Sequence, residues 1–441
     1  MHRTISDIVW VYTHSHDPDG KVIQLAADGL IVGDRHPNEH SWTHEDGRLL
    51  FRDVEGRVSV VFELPDLDDL PQGLQGRFVL WPDSGITTWL SRSAGTQRLT
   101  GRSAYALAGT VDRIAEAADI AYPEARYGHR DPGLRGYRAH PIDCLTLADA
   151  TVLTPYGLIE RDGSLATESL FHFPFFSEKR LTRLSEEHFV RAAIAPALRF
   201  KRALHAMAGV SGNHYHWMLF FLGRIVLFAE ARPDDRRCVV LLPDYLNAVQ
   251  RRSAEMVADH YGLTVARLQD GAAVQVDELV FPHQRGSMGV DPHPAVMKTF
   301  VLIRNATART VGEGAKRLYI SRADSALRRL ENEAEVEDLL SGHGFRVIRL
   351  AGATLEEQVA ALADARVVIG PHGAGMTNVA FCRPGAKVLE FQSPSYVSWC
   401  MRNLAVLAEL DYGHLMGEAT DGDRYRIDLD QLRSTLSAMG L

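Results

Sequence analysis

VVLLP (239–243), TVARL (264–268), RLYIS (317–321), RVIRL (346–350), RVVIG (366–370) and KVLEF (387–391) are short apolar runs, and each leads into a segment of helical period, with a loop first after TVARL. Strands that alternate with helices need crossover connections, so they lie parallel and have both faces of their sheet covered. The stretch therefore predicts a doubly wound α/β domain, placed at 236–441. Local signals agree. Thr354 with Glu357 three residues on is a capping box, Leu355, Val359 and Leu362 form the apolar face behind it, and Val336, Leu339 and Leu340 do the same for the preceding helix.

Toward the N-terminus the pattern changes. From Ile5 to Phe62, alternating runs such as VIQLAADGLIVG, RLLF and RVSVVFEL are separated by Asp-Gly and Glu-Gly turns, the signature of hairpins. A β-rich region is thus expected over 1–110. Its Asn38, Glu39, Trp42, Leu49, Phe51 and Phe62 suit a meander with one aromatic face, while an exposed Trp42 or Trp89 would suit stacking on a sugar ring. Between the two, 111–235 reads as a second α/β domain, with helical periods beginning near Val111 (Ile114 and Ala118 on one face), across Glu186–Met207 and across His216–Phe228.

The chain has 441 residues, enough for two or three cores. A net charge of −8 argues against broad binding to nucleic acid or anionic membranes, so any phosphate it holds must be gripped locally. Cys144, Cys238, Cys382 and Cys400 are too scattered for a disulfide framework or a zinc site and read as buried thiols. MHRTISDIVWVYTHSHDPDG has no apolar run long enough for a signal peptide, and the apolar stretch Trp217–Phe228 is too short to span a bilayer. The expected location is cytoplasmic, including the inner face of a membrane.

Ligands of open parallel sheets bind beyond the carboxyl ends of the strands, where loops converge and helix N-termini present free N–H groups. RVVIG leads there into Pro371-His372-Gly373-Ala374-Gly375, whose glycines let a bulky anion approach. Arg322 follows RLYIS and could grip phosphate oxygens through its fork. Glu390 closes KVLEF, where a carboxylate can accept from ribose hydroxyls. A cation, a helix start and a carboxylate on one rim fit a nucleoside diphosphate.

The run from Ser321 to Phe391 resembles glycosyltransferase family 61. It carries, in order, Arg322 and Arg328, Asn332-Glu333, Gly344-Phe345, Glu357-Gln358, His372-Gly373-Ala374-Gly375, then Asn378 and Phe381, and Glu390. Asn213-His214-Tyr215-His216-Trp217 is similar to the family's Tyr-His-Trp segment, which opens its acceptor-side helix. The resemblance, over roughly 140–440, implies two facing Rossmann-like domains of the GT-B type. It also implies a nucleoside-diphosphate sugar bound in the C-terminal half and inverting transfer to a glycan or glycolipid without a bound metal or other cofactor. Donor contacts then fall to Arg322, Arg328, Gln358, His372, Gly373, Ala374, Gly375, Asn378 and Glu390. An imidazole can hold a proton near neutral pH, so His216 is the first choice of catalytic base and His214 the second. One departure stands out: where family members often carry an acidic residue, this chain reads Met218-Leu219-Phe220-Phe221-Leu222-Gly223-Arg224. Two rival readings are a sugar-nucleotide epimerase and an inactive carbohydrate-binding scaffold. The transferase reading is compatible with a membrane-held acceptor, and a homo-oligomer is compatible with all three.

Overall fold

The computed structural model describes residues 5–33, 36–92, 96–129, 133, 135–171, 181–183, 187–192, 194–235, 237–286, 289–307, 315–325 and 327–441. The chain forms two compact units: Met1–Leu107 with Asp149–Arg199 and Gly271–Gln275, and Ala108–Ala148 with Phe200–Asp270 and Val276–Leu441. The sequence, by comparison, suggests divisions near 110 and 235.

In the first unit, eight antiparallel strands form a sheet whose spatial order begins at Ile31–Val32 and ends at Ser41–Glu45. Ser41–Glu45 and Arg48–Arg52 pair through the two-residue turn Asp46-Gly47, in which both residues take positive φ. Strand alternation buries Trp10, Tyr12, Leu49, Phe51, Val60, Phe62 and Leu90 in one core, with the Phe51 and Phe62 rings 5.2 Å apart. Trp42 packs against this core and donates its indole N–H to the Ala26 carbonyl at 2.9 Å, whereas Trp89 is 38% exposed.

Two expected helices are strands. The segment Thr110–Ala115 runs antiparallel to Ile142–Leu153, with Val111 opposite Leu145. Within Glu186–Met207 the described backbone forms His188–Ala192, paired with Thr96–Arg102, and Leu198–His205, parallel to Val239–Pro243. Apolar spacing there imitates a helical period, but distant partners supply the ladder and override it. The loop expected before Pro294 contains the strand Ala273–Gln284. Because Leu198–His205 pairs with Val239–Pro243, which pairs in turn with Thr264–Leu268, a parallel sheet continues across residue 235.

The C-terminal part of the second unit is a five-stranded parallel sheet in the order Arg346–Ile348, Arg317–Ile320, Val367–Pro371, Lys387–Gln392, Asp411–Met416. The last strand did not emerge from the sequence. Helices Glu333–Gly342, Leu355–Ala363, Cys400–Leu407 and Leu429–Ala438 accompany it, and the Thr354–Glu357 capping box forms as expected. In this order the chain reverses direction across the sheet between Arg317–Ile320 and Val367–Pro371, which opens a crevice at their carboxyl ends.

One buried feature of this unit bears on stability. Arg224 is buried with its guanidinium 5.0 Å from the Phe221 ring and 5.1 Å from that of Phe281, and burial lowers its pKa to about 9. His283 is pushed down to about 3, first by burial and then by the nearby Arg224. The folded protein therefore keeps this imidazole neutral while the unfolded chain takes up a proton near pH 6.5. Stability is expected to be unaffected by this group above that pH and to fall as the pH drops from about 6.5 toward 3, by roughly 4 kcal/mol over the full window. Thermal melts between pH 7 and 4 check this. A His283→Gln variant whose melting temperature declines as steeply as the parent's would refute it.

Candidate functional site

At the crevice, the strand Val367–Pro371 ends in His372 and Gly373, and Ala374–Phe381 follows as a 3-10 helix, not the α-helix that the alternation suggested. Gly373 has extended backbone, φ 168° and ψ 169°, so space is what requires glycine there. A Cβ would lie 2.3 Å from Arg322 Nη1 and 2.7 Å from its Cζ. At Gly370 a Cβ would meet the Ile320 carbonyl oxygen and Met376 Sδ, both at 2.9 Å, whereas Gly375 has ordinary room.

Arg322 is fixed from several sides. Its backbone N–H donates to Glu333 Oε1 at 2.8 Å, Nη1 donates to the His372 carbonyl, and Nη2 donates to Ser325 Oγ at 2.8 Å. Burial depresses its proton affinity and the neighbouring Arg328 depresses it further, against smaller opposing effects of Tyr425, Glu333 and Asp324. Two guanidiniums are thus held close together, an arrangement that an anion relieves. Arg328 has φ 51°, anchors its N–H on Asp423 Oδ2 at 2.8 Å and lays its guanidinium 4.5 Å over the Tyr396 ring. Its buried Nε has no hydrogen-bond partner among the described residues. A cavity of about 120 Å³ is lined by Arg328, His372, Gly373, Tyr396, Tyr215 and His216 among others. It suits one group of a ligand, since whole drug-sized ligands take roughly 300 Å³ or more.

His372 and Glu390 meet, but not as two separate ligand contacts. The His372 Nδ1 lies 2.7 Å from Glu390 Oε1, and the carboxylate is fully buried. Its Oε2 accepts from the Tyr412 hydroxyl and from Gln392 Nε2 at 2.9 Å. The ribose contact expected of Glu390 does not fit this environment, because both oxygens are taken by protein donors.

Gln358 and Asn378 are likewise supports. The Gln358 amide nitrogen faces the Leu350 and Ala353 carbonyls at 3.3 and 3.1 Å, and its oxygen accepts from Asn378 Nδ2 at 3.2 Å. Asn378 Nδ2 also faces the Gly375 carbonyl at 3.2 Å, which turns its oxygen toward His214 Nε2 at 3.2 Å. Carbonyls only accept, so both amide orientations are determined, and His214 must carry its hydrogen on Nε2. Burial lowers the pKa of His214. Donor contacts expected of Gln358 and Asn378 are replaced by this internal chain.

Upstream, Asn213 caps the first helical turn by accepting from the Tyr215 N–H at 2.9 Å and that of His216 at 3.4 Å. The helix continues as a π-helical turn over Trp217–Phe221, all buried, with Trp217 Nε1 donating to Ser253 Oγ at 2.9 Å. Such turns recur at functional sites. His216 packs its ring 6.0 Å from Phe220 and reaches the cavity.

The family model described as Glycosyltransferase 61 matches residues 214–389, from His214 to the residue before Glu390. Over those residues the chain is similar to glycosyltransferase family 61. A curated relative, beta-1,2-xylosyltransferase RCN11 of Oryza sativa subsp. japonica, is 29% identical over 153 residues, which cover 31% of this chain and 29% of that one. The match thus spans less than a third of the relative's length.

Several residues around the crevice escaped the sequence reading. Gln392, Tyr396 and Tyr412 lie beyond the matched span. One signal was present: Glu390 and Gln392 alternate on one face of a strand expected to be apolar on both. Asn332 and Glu333 prove to be braces. Asn332 bonds both the N–H and the carbonyl of Ile427, and Glu333 Oε1 accepts from Tyr319, Ser321 and the Arg322 N–H. Among the described residues, no three His, Cys, Asp or Glu are grouped as a metal site and no helix is long and apolar enough to cross a membrane.

Proposed function

We propose that this chain transfers a sugar from a nucleoside-diphosphate sugar to a hydroxyl of a glycan or glycolipid, with inversion at the anomeric carbon. The observation that carries this is the pair of guanidiniums, Arg322 and Arg328, fixed beside Gly373 at the crevice of a doubly wound sheet. Departure of the diphosphate concentrates negative charge, and preorganised cations are worth most where charge develops. In this reading the five-stranded sheet is the donor half of a GT-B arrangement and the sheet containing Val239–Pro243 is the acceptor half. The name of the curated relative makes a pentose the first donor sugar to test.

A thermal-shift screen against UDP, GDP, CDP and their sugars tests donor binding, since a ligand at 100 times its dissociation constant adds about 2.7 kcal/mol. An Arg328→Ala variant is expected to weaken the diphosphate that the screen selects by about 10- to 100-fold, the loss of one charge-assisted contact. Unchanged affinity would remove Arg328 from the site. Incubation of the donor without an acceptor separates transfer from isomerisation: an epimerised sugar nucleotide would refute the transferase reading. Failure of the wild type to bind any nucleotide favours the carbohydrate-binding scaffold.

A further inference from the structure

We infer that His372 is the proton acceptor of the transfer and that Glu390 is its positioning residue. The inference rests on the transferase reading above and departs from the assignment of His372 to donor binding. Four observations lead to it. The Glu390 carboxylate can only accept, so the hydrogen of a neutral His372 ring sits on Nδ1 at 2.7 Å, and Nε2 is left with its lone pair. The carboxylate is itself fixed, by Tyr412 and by Gln392, whose amide nitrogen also donates to the Ser398 carbonyl at 2.8 Å. The His372 backbone is pinned at both ends, its N–H on the Phe391 carbonyl at 2.8 Å and its carbonyl on Arg322. Finally, His372 lines the cavity that Arg328 and Tyr396 also line.

His214 is a poorer candidate because the amide chain requires its Nε2 to donate. His216 lines the same cavity and is the internal control. A base supplied by the C-terminal sheet also removes the need for an acidic residue in Met218–Arg224.

The chemical step balances as follows. As the acceptor oxygen bonds the anomeric carbon, its proton passes to His372 Nε2. The anomeric C–O bond to the diphosphate breaks, and its electron pair leaves on the diphosphate oxygen. Glu390 neutralises the imidazolium, which then returns its proton to solvent.

The charged groups facing His372 are Glu390 from its neighbouring strand and Arg322 and Arg328 from the loop after Arg317–Ile320. Tyr396 lies with its ring 5.6 Å away, Tyr412 acts through Glu390, and Tyr215, His216 and Cys400 share the cavity.

The test is the pH dependence of kcat/KM for transfer, measured with the donor and acceptor that the screen and product analysis identify. The wild type is expected to gain rate with rising pH through one ionisation. His372→Gln should lose about 10²- to 10⁴-fold in kcat, the usual contribution of a general base. Glu390→Gln keeps the shape but not the charge that stabilises the imidazolium, so the plateau in kcat should fall while donor KM stays within about threefold. Tyr412→Phe, which deletes one hydrogen bond that holds Glu390 in place, should lower kcat by less at unchanged donor KM and serves if Glu390→Gln does not fold. A wild-type rate that falls through this ionisation would overturn the inference, since His372 would then act as a cation on the diphosphate. So would a limb that survives in His372→Gln and disappears in His216→Gln. Absence of transfer from every sugar nucleotide is a different failure, that of the transferase reading, and takes the inference with it.

Discussion

Alanine at position 373 is expected to slow sugar transfer by about 10²- to 10³-fold, the range seen when a preorganised donor to developing charge is removed, while the protein still folds. The added methyl would sit 2.3 Å from Arg322 Nη1, so something must move. The guanidinium is the far end of a flexible side chain and gives way more easily than the strand end that carries His372. Its bonds to the His372 carbonyl and to Ser325 are then lost, and the fixed cation becomes a mobile one. Steady-state kinetics and a melting curve on the same preparation check the prediction. A Gly373→Ala protein with wild-type kcat would mean that the placement of Arg322 is irrelevant to the reaction. Glycine is not needed for its torsion here, so a smaller Arg322→Ser side chain in the same background is expected to restore stability but not rate.

The second large effect concerns the fold beneath the site. Removing the Glu333 carboxylate as Glu333→Ala is expected to destabilise the C-terminal unit by about 3–5 kcal/mol, because three donors lose one buried charged acceptor together. Those donors are the Tyr319 and Ser321 hydroxyls at 3.0 Å and the Arg322 N–H at 2.8 Å. Glu333→Gln retains an acceptor oxygen and should lose about half as much. Urea unfolding followed by tryptophan fluorescence measures the difference. A loss below about 1 kcal/mol would show that water reaches these donors and replaces the carboxylate.

Much of the C-terminal half was readable because its signals are local. Alternating strands and helices, the Thr354–Glu357 capping box and a glycine turn at a strand end are each set by neighbours in sequence. The Asp46-Gly47 hairpin was equally plain. What failed was non-local. Whether His188–Ala192 is a strand depends on Thr96–Arg102, about 90 residues earlier, and its own apolar spacing suits either structure. The site divides in the same way. Arg322, His372, Gly373 and Glu390 could be found at strand ends, but the role of Glu390 could not. A carboxylate at a strand end reads as a ligand contact until Tyr412 and Gln392 are seen to occupy it. Gln358 and Asn378 were misassigned for the same reason, since the carbonyls of Leu350, Ala353 and Gly375 that hold them carry no side-chain signature.

The discontinuous make-up of the first unit has a consequence for how the protein is made. Its eight-stranded sheet is complete once Arg92 has been synthesised, because its one long-range pairing, Val9–His14 with Thr87–Arg92, closes there and the others join strands consecutive in the chain. The remainder of that unit must wait, because Thr154 and Ala197 complete their backbone hydrogen bonds on the Ala272 and Ala273 carbonyls. At about 5–20 residues per second, that interval leaves the emerging chain partly assembled on the ribosome for roughly ten seconds or more. During it, the edge of Thr96–Arg102 that later receives His188–Ala192 lacks its partner. Slower translation between Arg102 and the segment that ends at Ala192 therefore lengthens the time for which that edge is unpaired.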